Sequence, residues 1–312
     1  MGAITDAPCS AFLPPDQINF IESALRMYGS HGVNESDSER WMAISSVVNS
    51  FTKLALYLRS VVALGAPNLD GCPLIPKALW RSSPHSRNAY NSFLFWIHRL
   101  GIERASTIID VGANHGDFAR AASATFPQAN VLLFEPLPTM HDYLNGLMRA
   151  GRKTWQLLPC GLGSAPGEFP LFVDDKNDAI GSFAGFADEY LRANPLAQPN
   201  RKIMCNVRTL DEVASELGLE SIDLVKIDVE GFEFEVLKGA TVSLQRTNSI
   251  IVEVSLLRHS ATSATPLLEM LQILTSVGFQ VVEIIPSLFD PAVSWKPTEF
   301  NVLMRRSPGS NS

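Results

Sequence analysis

The chain has 312 residues, 46% of them hydrophobic, enough to bury a sizeable core in one large domain with an appendage. A formal net charge of −7 argues against a general nucleic-acid binder, which carries a basic patch or stripe. The four cysteines, Cys9, Cys72, Cys160 and Cys205, are scattered without a C-x-x-C pair, so neither a disulfide framework nor a structural zinc site is expected.

Met1 to Pro15 show no basic stretch followed by an apolar one, so no secretory leader is expected. Met1-Gly2 lacks the downstream Ser or Thr of a myristoylation start, because Asp6 stands there. Gln17 to Tyr28 and Arg40 to Leu64 carry helical spacing, with Val47, Phe51, Leu54 and Leu58 on one stripe. Asn49, Lys53 and Arg59 interrupt the second of these, so it does not read as a membrane span, and a cytoplasmic protein is expected. Pro67 to Arg87 is rich in Pro and Ser and reads as a linker. Residues 1–87 are thus expected to form a helical region packing on the main domain, with its helices the candidate surface for a homo-oligomer.

From residue 88 to 312 the pattern alternates. Helix is expected at Asn91–Leu100, Asp117–Thr125 and about Thr139–Arg149, and from Phe232 and Pro266 onward. Strands are expected at Thr107–Val111, Val131–Phe134, Trp155–Pro159, Ile222–Ile227, Ile250–Val254, Val281–Ile285 and Phe300–Met304. Phe169–Val173 and Ile203–Val207 suggest a small antiparallel insertion around the polar loop Asp174–Gly181. The alternation implies a doubly wound α/β fold, mostly parallel, because parallel neighbours need crossovers. The last strand follows Ile285 without a helix between, which suggests an antiparallel strand at the sheet edge.

In such sheets, ligands bind beyond the carboxyl ends of the strands. Asp110, Glu135, Cys160 and Asp228 all fall there. Gly112 and Gly116 let the backbone turn sharply after the first strand and approach a ligand. The turn lacks the middle glycine of G-x-G-x-x-G, which weakens a dinucleotide reading. Glu135, about twenty residues on, stands where an acid accepts both ribose hydroxyls and repels a 2′-phosphate. A ribose-bearing ligand without pyrophosphate fits, and S-adenosylmethionine is the first candidate. In Asp223-Leu-Val-Lys-Ile-Asp-Val-Glu-Gly-Phe-Glu-Phe-Glu235, an extended backbone would put Asp228 and Glu230 on the same side. Glu233 and Glu235 fall in a first helical turn, where they complement the helix dipole.

Asp110-Val-Gly-Ala-Asn-His-Gly, Phe134-Glu-Pro, Val207-Arg-Thr-Leu-Asp211 and Lys226-Ile-Asp-Val-Glu-Gly-Phe-Glu233 resemble, in order and spacing, the motif series of the FkbM-family methyltransferases. The resemblance covers roughly Asn88 to Arg306. It implies a class I methyltransferase (Rossmann-like) fold, S-adenosylmethionine as donor and a hydroxyl oxygen as usual acceptor. Carried over by position, Asp110, Gly112, Asn114 and Gly116 would line the methionine end and Glu135 the ribose. Cys160 and Gly161 would contact adenine, and Ser182 would lie near the active site. His115 departs from the apolar residue more usual inside the turn, so no role is carried over to it.

An alcohol acceptor benefits from a general base. Asp228 is the first candidate and His259 the second, with Glu230 beside Asp228. No metal is expected, although Asp228 with Glu230 or Glu253 offers oxygen ligands for a divalent ion that would lower the acceptor pKa. The expected function is O-methylation of a hydroxyl on a small metabolite or glycan. The rivals are a metal-assisted version, a nicotinamide oxidoreductase, a nucleic-acid methyltransferase, and a non-catalytic cofactor-binding or interaction module. The acidic balance and the absence of an N-P-P-Y-like motif count against nucleic acid.

Overall fold

The computed structural model describes residues 84–150, 154–175, 177–186, 188–193, 198–256, 266–290 and 293–306. The helices expected at Gln17–Tyr28 and Arg40–Leu64, and His259, lie outside them. The described chain opens with helix α1 (Pro84–Leu100), whose first turn takes in the end of the segment read above as linker. Proline suits that position, since the first helical N–H groups have no intrahelical partner.

Strands β1 (Thr107–Val111), β2 (Asn130–Phe134) and β3 (Trp155–Leu158) alternate with helices α2 (Asp117–Thr125) and α3 (Pro138–Arg149). After an inserted sheet come α5 (Leu210–Glu216) and β8 (Ile222–Ile227), then α6 (Glu233–Lys238) and α7 (Thr241–Gln245). Strand β9 (Thr247–Ser255), helix α8 (Pro266–Ser276) and strands β10 (Phe279–Asp290) and β11 (Val293–Arg306) complete the order. The main sheet has seven strands in the order β10-β11-β9-β8-β1-β2-β3. β1 pairs in parallel with both β2 and β8, so the strand order reverses on either side of β1. The last strand is antiparallel as expected, but it does not lie at the edge. β11 folds back from β10 and inserts between β10 and β9, satisfying its backbone on both sides and leaving β10 outermost.

Alternation along the strands divides the core. Ile108, Leu133, Leu224 and Ile251 face α1 and α2 and meet Phe93, Ile97, Phe118 and Ala122. Ile109, Val111, Phe134, Val225, Ile227 and Val252 face the opposite way, onto Val213, Val236, Leu237, Met270 and Leu274. On the first face Phe93 meets Phe118 edge-on at 5.1 Å between ring centroids. Thr209 caps α5 and exchanges hydrogen bonds with Glu212, a capping box that sets where that helix begins.

The insertion has the antiparallel pairing expected. β5 (Gly167–Asp174) runs against β7 (Arg201–Arg208), with Phe169 opposite Cys205. It extends further than expected: β6 (Asn177–Ser182) replaces most of the polar loop, β4 (Gly161–Leu162) joins β7, and helix α4 (Asp188–Ala193) follows. Among the described residues, no helix is long and apolar enough to cross a membrane.

Candidate active site

The turn after β1 is tied to β2. The N–H groups of Gly112 and Ala113 both donate to the carbonyl of Phe134, each at 3.0 Å. Gly112 adopts φ +82°, and a Cβ there would overlap the carbonyl oxygen of Asp228. Only glycine lets the ends of β1 and β8 approach this closely. Glu135 folds beneath the turn: Oε2 accepts the N–H of Asn114 at 2.7 Å and Oε1 that of Leu137 at 2.8 Å. Burial pushes the Glu135 carboxyl up to about 7, against the pull of those two N–H groups.

A cleft of about 250 Å³ opens at this rim. Gly112, Asn114, Glu135, Gly161, Asp228 and Glu230 line it, with apolar walls from Leu162, Leu171 and Phe183. Among the described residues, the non-glycine positions with positive φ are Asn114 at 46° and Glu230 at 58°, and both line this cleft. Left-handed backbone at ordinary residues is held by its surroundings and concentrates at ligand sites. At Glu230 those surroundings are visible. Ser182 donates its hydroxyl to the Glu230 carbonyl at 2.6 Å, while Oε1 of Glu233 accepts the N–H of Val229 at 3.2 Å and of Gly231 at 3.0 Å.

The turn at Glu230 is thus not extended, yet Asp228 and Glu230 still converge, and Glu253 joins them from β9. One carboxylate oxygen from each lies within 4.8 Å of the others. A second cleft of about 240 Å³ shares Gly112, Asn114 and Asp228 with the first and adds Trp96, Phe118 and Lys226.

Four of the expected site residues stand behind these clefts. Asp110 is fully buried, because its register turns it onto the α2 face beside Lys226, and burial raises its carboxyl to about 6. Gly116, at φ +69°, starts α2 where a Cβ would crowd Leu144 and Trp155. Cys160 is buried behind Gly161, and burial pushes its thiol up to about 11. Ser182 acts on the Glu230 backbone, as above. Two residues carry more than the sequence reading gave them. Glu233 shapes the rim turn, and Lys226 places an ammonium 3.0 Å from Asp228. The signal was present: a lysine two residues from an acid in a buried strand shares its face and needs a partner.

A seven-stranded sheet with its last strand inserted antiparallel beside the edge strand, a glycine turn after β1 and an acid after β2 is the class I methyltransferase arrangement. Residues 110–281 match the Methyltransferase FkbM domain, and the chain belongs to that family. It is 28% identical over 221 residues to Methyltransferase sdnD of Sordaria araneosa, covering 64% of this chain and 80% of that protein. It is 32% identical over 161 residues to the hexuronic acid methyltransferase AglP of Haloferax volcanii, covering 50% of this chain and 60% of AglP. With the 2-O-methyltransferase NoeI of Sinorhizobium fredii it shares 30% over 168 residues, 47% of this chain and 63% of NoeI.

S-adenosylmethionine is the cofactor of this methyltransferase family, and the cleft suits it chemically. A buried carboxylate already oriented by two N–H groups matches a ribose diol, apolar walls match a purine, and rim carboxylates match a cationic sulfonium and ammonium.

Proposed function

We propose that this methyltransferase transfers methyl groups to a hydroxyl oxygen of a small metabolite or glycan, with Asp228 as general base. The observation that carries the reading is the position of Asp228, which lines both clefts at their common wall. A donor in one cleft and an acceptor in the other would meet there. The names of two relatives, a 2-O-methyltransferase and a hexuronic acid methyltransferase, support a hydroxyl-bearing acceptor. The net charge of −7 argues against nucleic acid as acceptor.

When bound, S-adenosylmethionine supplies a methyl group already activated by its positive sulfonium. This chain's part is placement and proton removal, and placement alone can lower the barrier substantially. Glu135 would hold the ribose hydroxyls, Gly161 and Leu162 the adenine, and Gly112 with Asn114 the methionine end. Asp110 would act from beneath, through Lys226 and the loop, while Gly116, Cys160 and Ser182 shape the walls. Asp228 would take the acceptor proton, with Glu230 beside it.

A metal-assisted version draws support from the convergence of Asp228, Glu230 and Glu253 within 4.8 Å. In that version a divalent ion would lower the acceptor pKa. Methyl incorporation from S-adenosylmethionine into a panel of hydroxylated metabolites and glycosides, followed by mass spectrometry, tests the proposal. Asp228→Asn should lower turnover at least a hundredfold with S-adenosylhomocysteine binding retained. Transfer to nitrogen, or full activity in Asp228→Asn, would overturn it. Activity abolished by chelator and restored by a divalent ion would favour the metal-assisted version.

A further inference from the structure

The register of the central strands places an unusual group at the wall between the two clefts. Lys226 on β8 is the cross-strand partner of Asp110 on β1, and Asp228 follows two residues later on the same face. The Lys226 side chain is only 11% exposed, and its ammonium lies 3.0 Å from Oδ2 of Asp228 and 3.7 Å from Oδ1 of Asp110. The ring of Phe118, on α2, lies 5.6 Å from it. A lysine this deep would ordinarily lose its proton to desolvation. Here Asp228 and Asp110 outweigh that, with Glu253 adding to them, and hold the ammonium above the ordinary lysine range.

The charges facing this position come from every neighbouring element. β1 supplies Asp110, the residue after β8 is Asp228, β9 supplies Glu253, and Glu135 after β2 is a more distant acid. Helix α2 contributes the Phe118 ring, with Asp117 and His115 elsewhere on the second cleft. Ionised carboxylates this close repel one another strongly unless a cation stands among them. A divalent ion is one solution. A fixed ammonium is another, and the strand register supplies it.

We infer that Lys226 is the resident cation of this site: a positioning residue that takes the place of a divalent ion among the rim carboxylates and orients Asp228 toward the shared wall. The inference rests on the reading of Asp228 as the base. Asp110 then has a definite task, which is to anchor the ammonium from below. Asp110, Asp228 and Glu253 together are the lysine's counter-charge.

The test uses the full-length protein and Mn²⁺ as probe, with free Mn²⁺ followed by electron paramagnetic resonance. Wild type and Lys226→Arg should show no Asp228-dependent Mn²⁺ site, because each keeps a cation in place. Lys226→Met should bind Mn²⁺ at least tenfold more tightly than wild type, and adding Asp228→Asn should abolish the gain. Lys226→Gln, which keeps a hydrogen-bond donor but no charge, serves as the second variant if Lys226→Met does not fold. An Asp228-dependent Mn²⁺ site in wild type would overturn the inference, as would a folded neutral variant that gains no Mn²⁺ affinity. S-adenosylhomocysteine titrations run alongside keep the readings separate: wild type that fails to bind it defeats the donor assignment, while the Mn²⁺ result still decides the role of the lysine.

Discussion

Oε1 of Glu233 accepts the backbone N–H of Gly231 at 3.0 Å, and the same oxygen accepts that of Val229 at 3.2 Å. One carboxylate oxygen therefore closes the turn that presents Glu230 at φ +58°. Glu233 is buried at 3% exposure and Gly231 is buried with it, so the Gly231 N–H loses its partner if the side chain is cut back. Leaving a buried donor unsatisfied costs about 1–3 kcal/mol. Glu233→Ala should destabilise the protein by at least that much and weaken S-adenosylhomocysteine binding about tenfold. Glu233→Gln keeps an amide oxygen for both N–H groups and should lose less of each. Chemical denaturation and calorimetry read the two quantities, and equal losses in the two variants would contradict this role for Oε1.

Glutamine is not a mild replacement at Glu135. Both oxygens accept backbone N–H groups, from Asn114 and Leu137, so an amide must turn its NH₂ toward one of them. A donor facing a donor in a site only 6% exposed should destabilise the fold by about 1–3 kcal/mol. Donor affinity should fall as well, since the proposed ribose acceptor is changed. A melting curve for Glu135→Gln that matches wild type would count against this geometry.

Two glycines give opposite expectations for the same substitution. Gly112→Ala would place a methyl group on the Asp228 carbonyl at φ +82°, and should cost about 2–5 kcal/mol while collapsing the cleft. Gly146 lies inside helix α3, and a Cβ added there would meet nothing within 4 Å. Gly146→Ala should therefore stabilise the protein by about 0.5–1 kcal/mol with donor binding unchanged. Thermal melts of the two variants decide both.

The main elements were legible because their signals are local. An apolar run ending in an acid and a glycine turn marks β1, and Asp117–Thr125 appears as a helix over the residues expected. The insertion of β11 between β9 and β10 depends on long-range pairing, which no local pattern records. A motif position can also serve the scaffold. Asp211 of Val207-Arg-Thr-Leu-Asp211 accepts the N–H groups of Val242 and Ser243 and so caps α7; it is scaffolding. Asp110 was legible as an acid at a strand end. That it is buried beside Lys226, behind the clefts, follows from the parity of β1, which is readable only once the buried face is known.

Donor affinity should depend on pH through Glu135. Burial raises its carboxyl from 4.5 to about 7, so in the ligand-free protein a proton sits there over much of the weakly acidic range. A raised carboxyl favours the fold below the unfolded value, and that contribution is lost as pH rises through about 7. Asp110, raised from 3.8 to about 6, acts in the same direction. From these two groups, the ligand-free protein should be more stable near pH 5.5 than near pH 8. Binding should run the other way. A ribose diol donates to the ionised carboxylate, so affinity for S-adenosylhomocysteine should rise with pH and level off above about 7. Each pH unit below that value corresponds to up to about 1.4 kcal/mol, so the dissociation constant should be up to about thirtyfold larger near pH 5.5 than near pH 8. Calorimetry across this range measures it, and an affinity independent of pH would remove Glu135 from the ribose site.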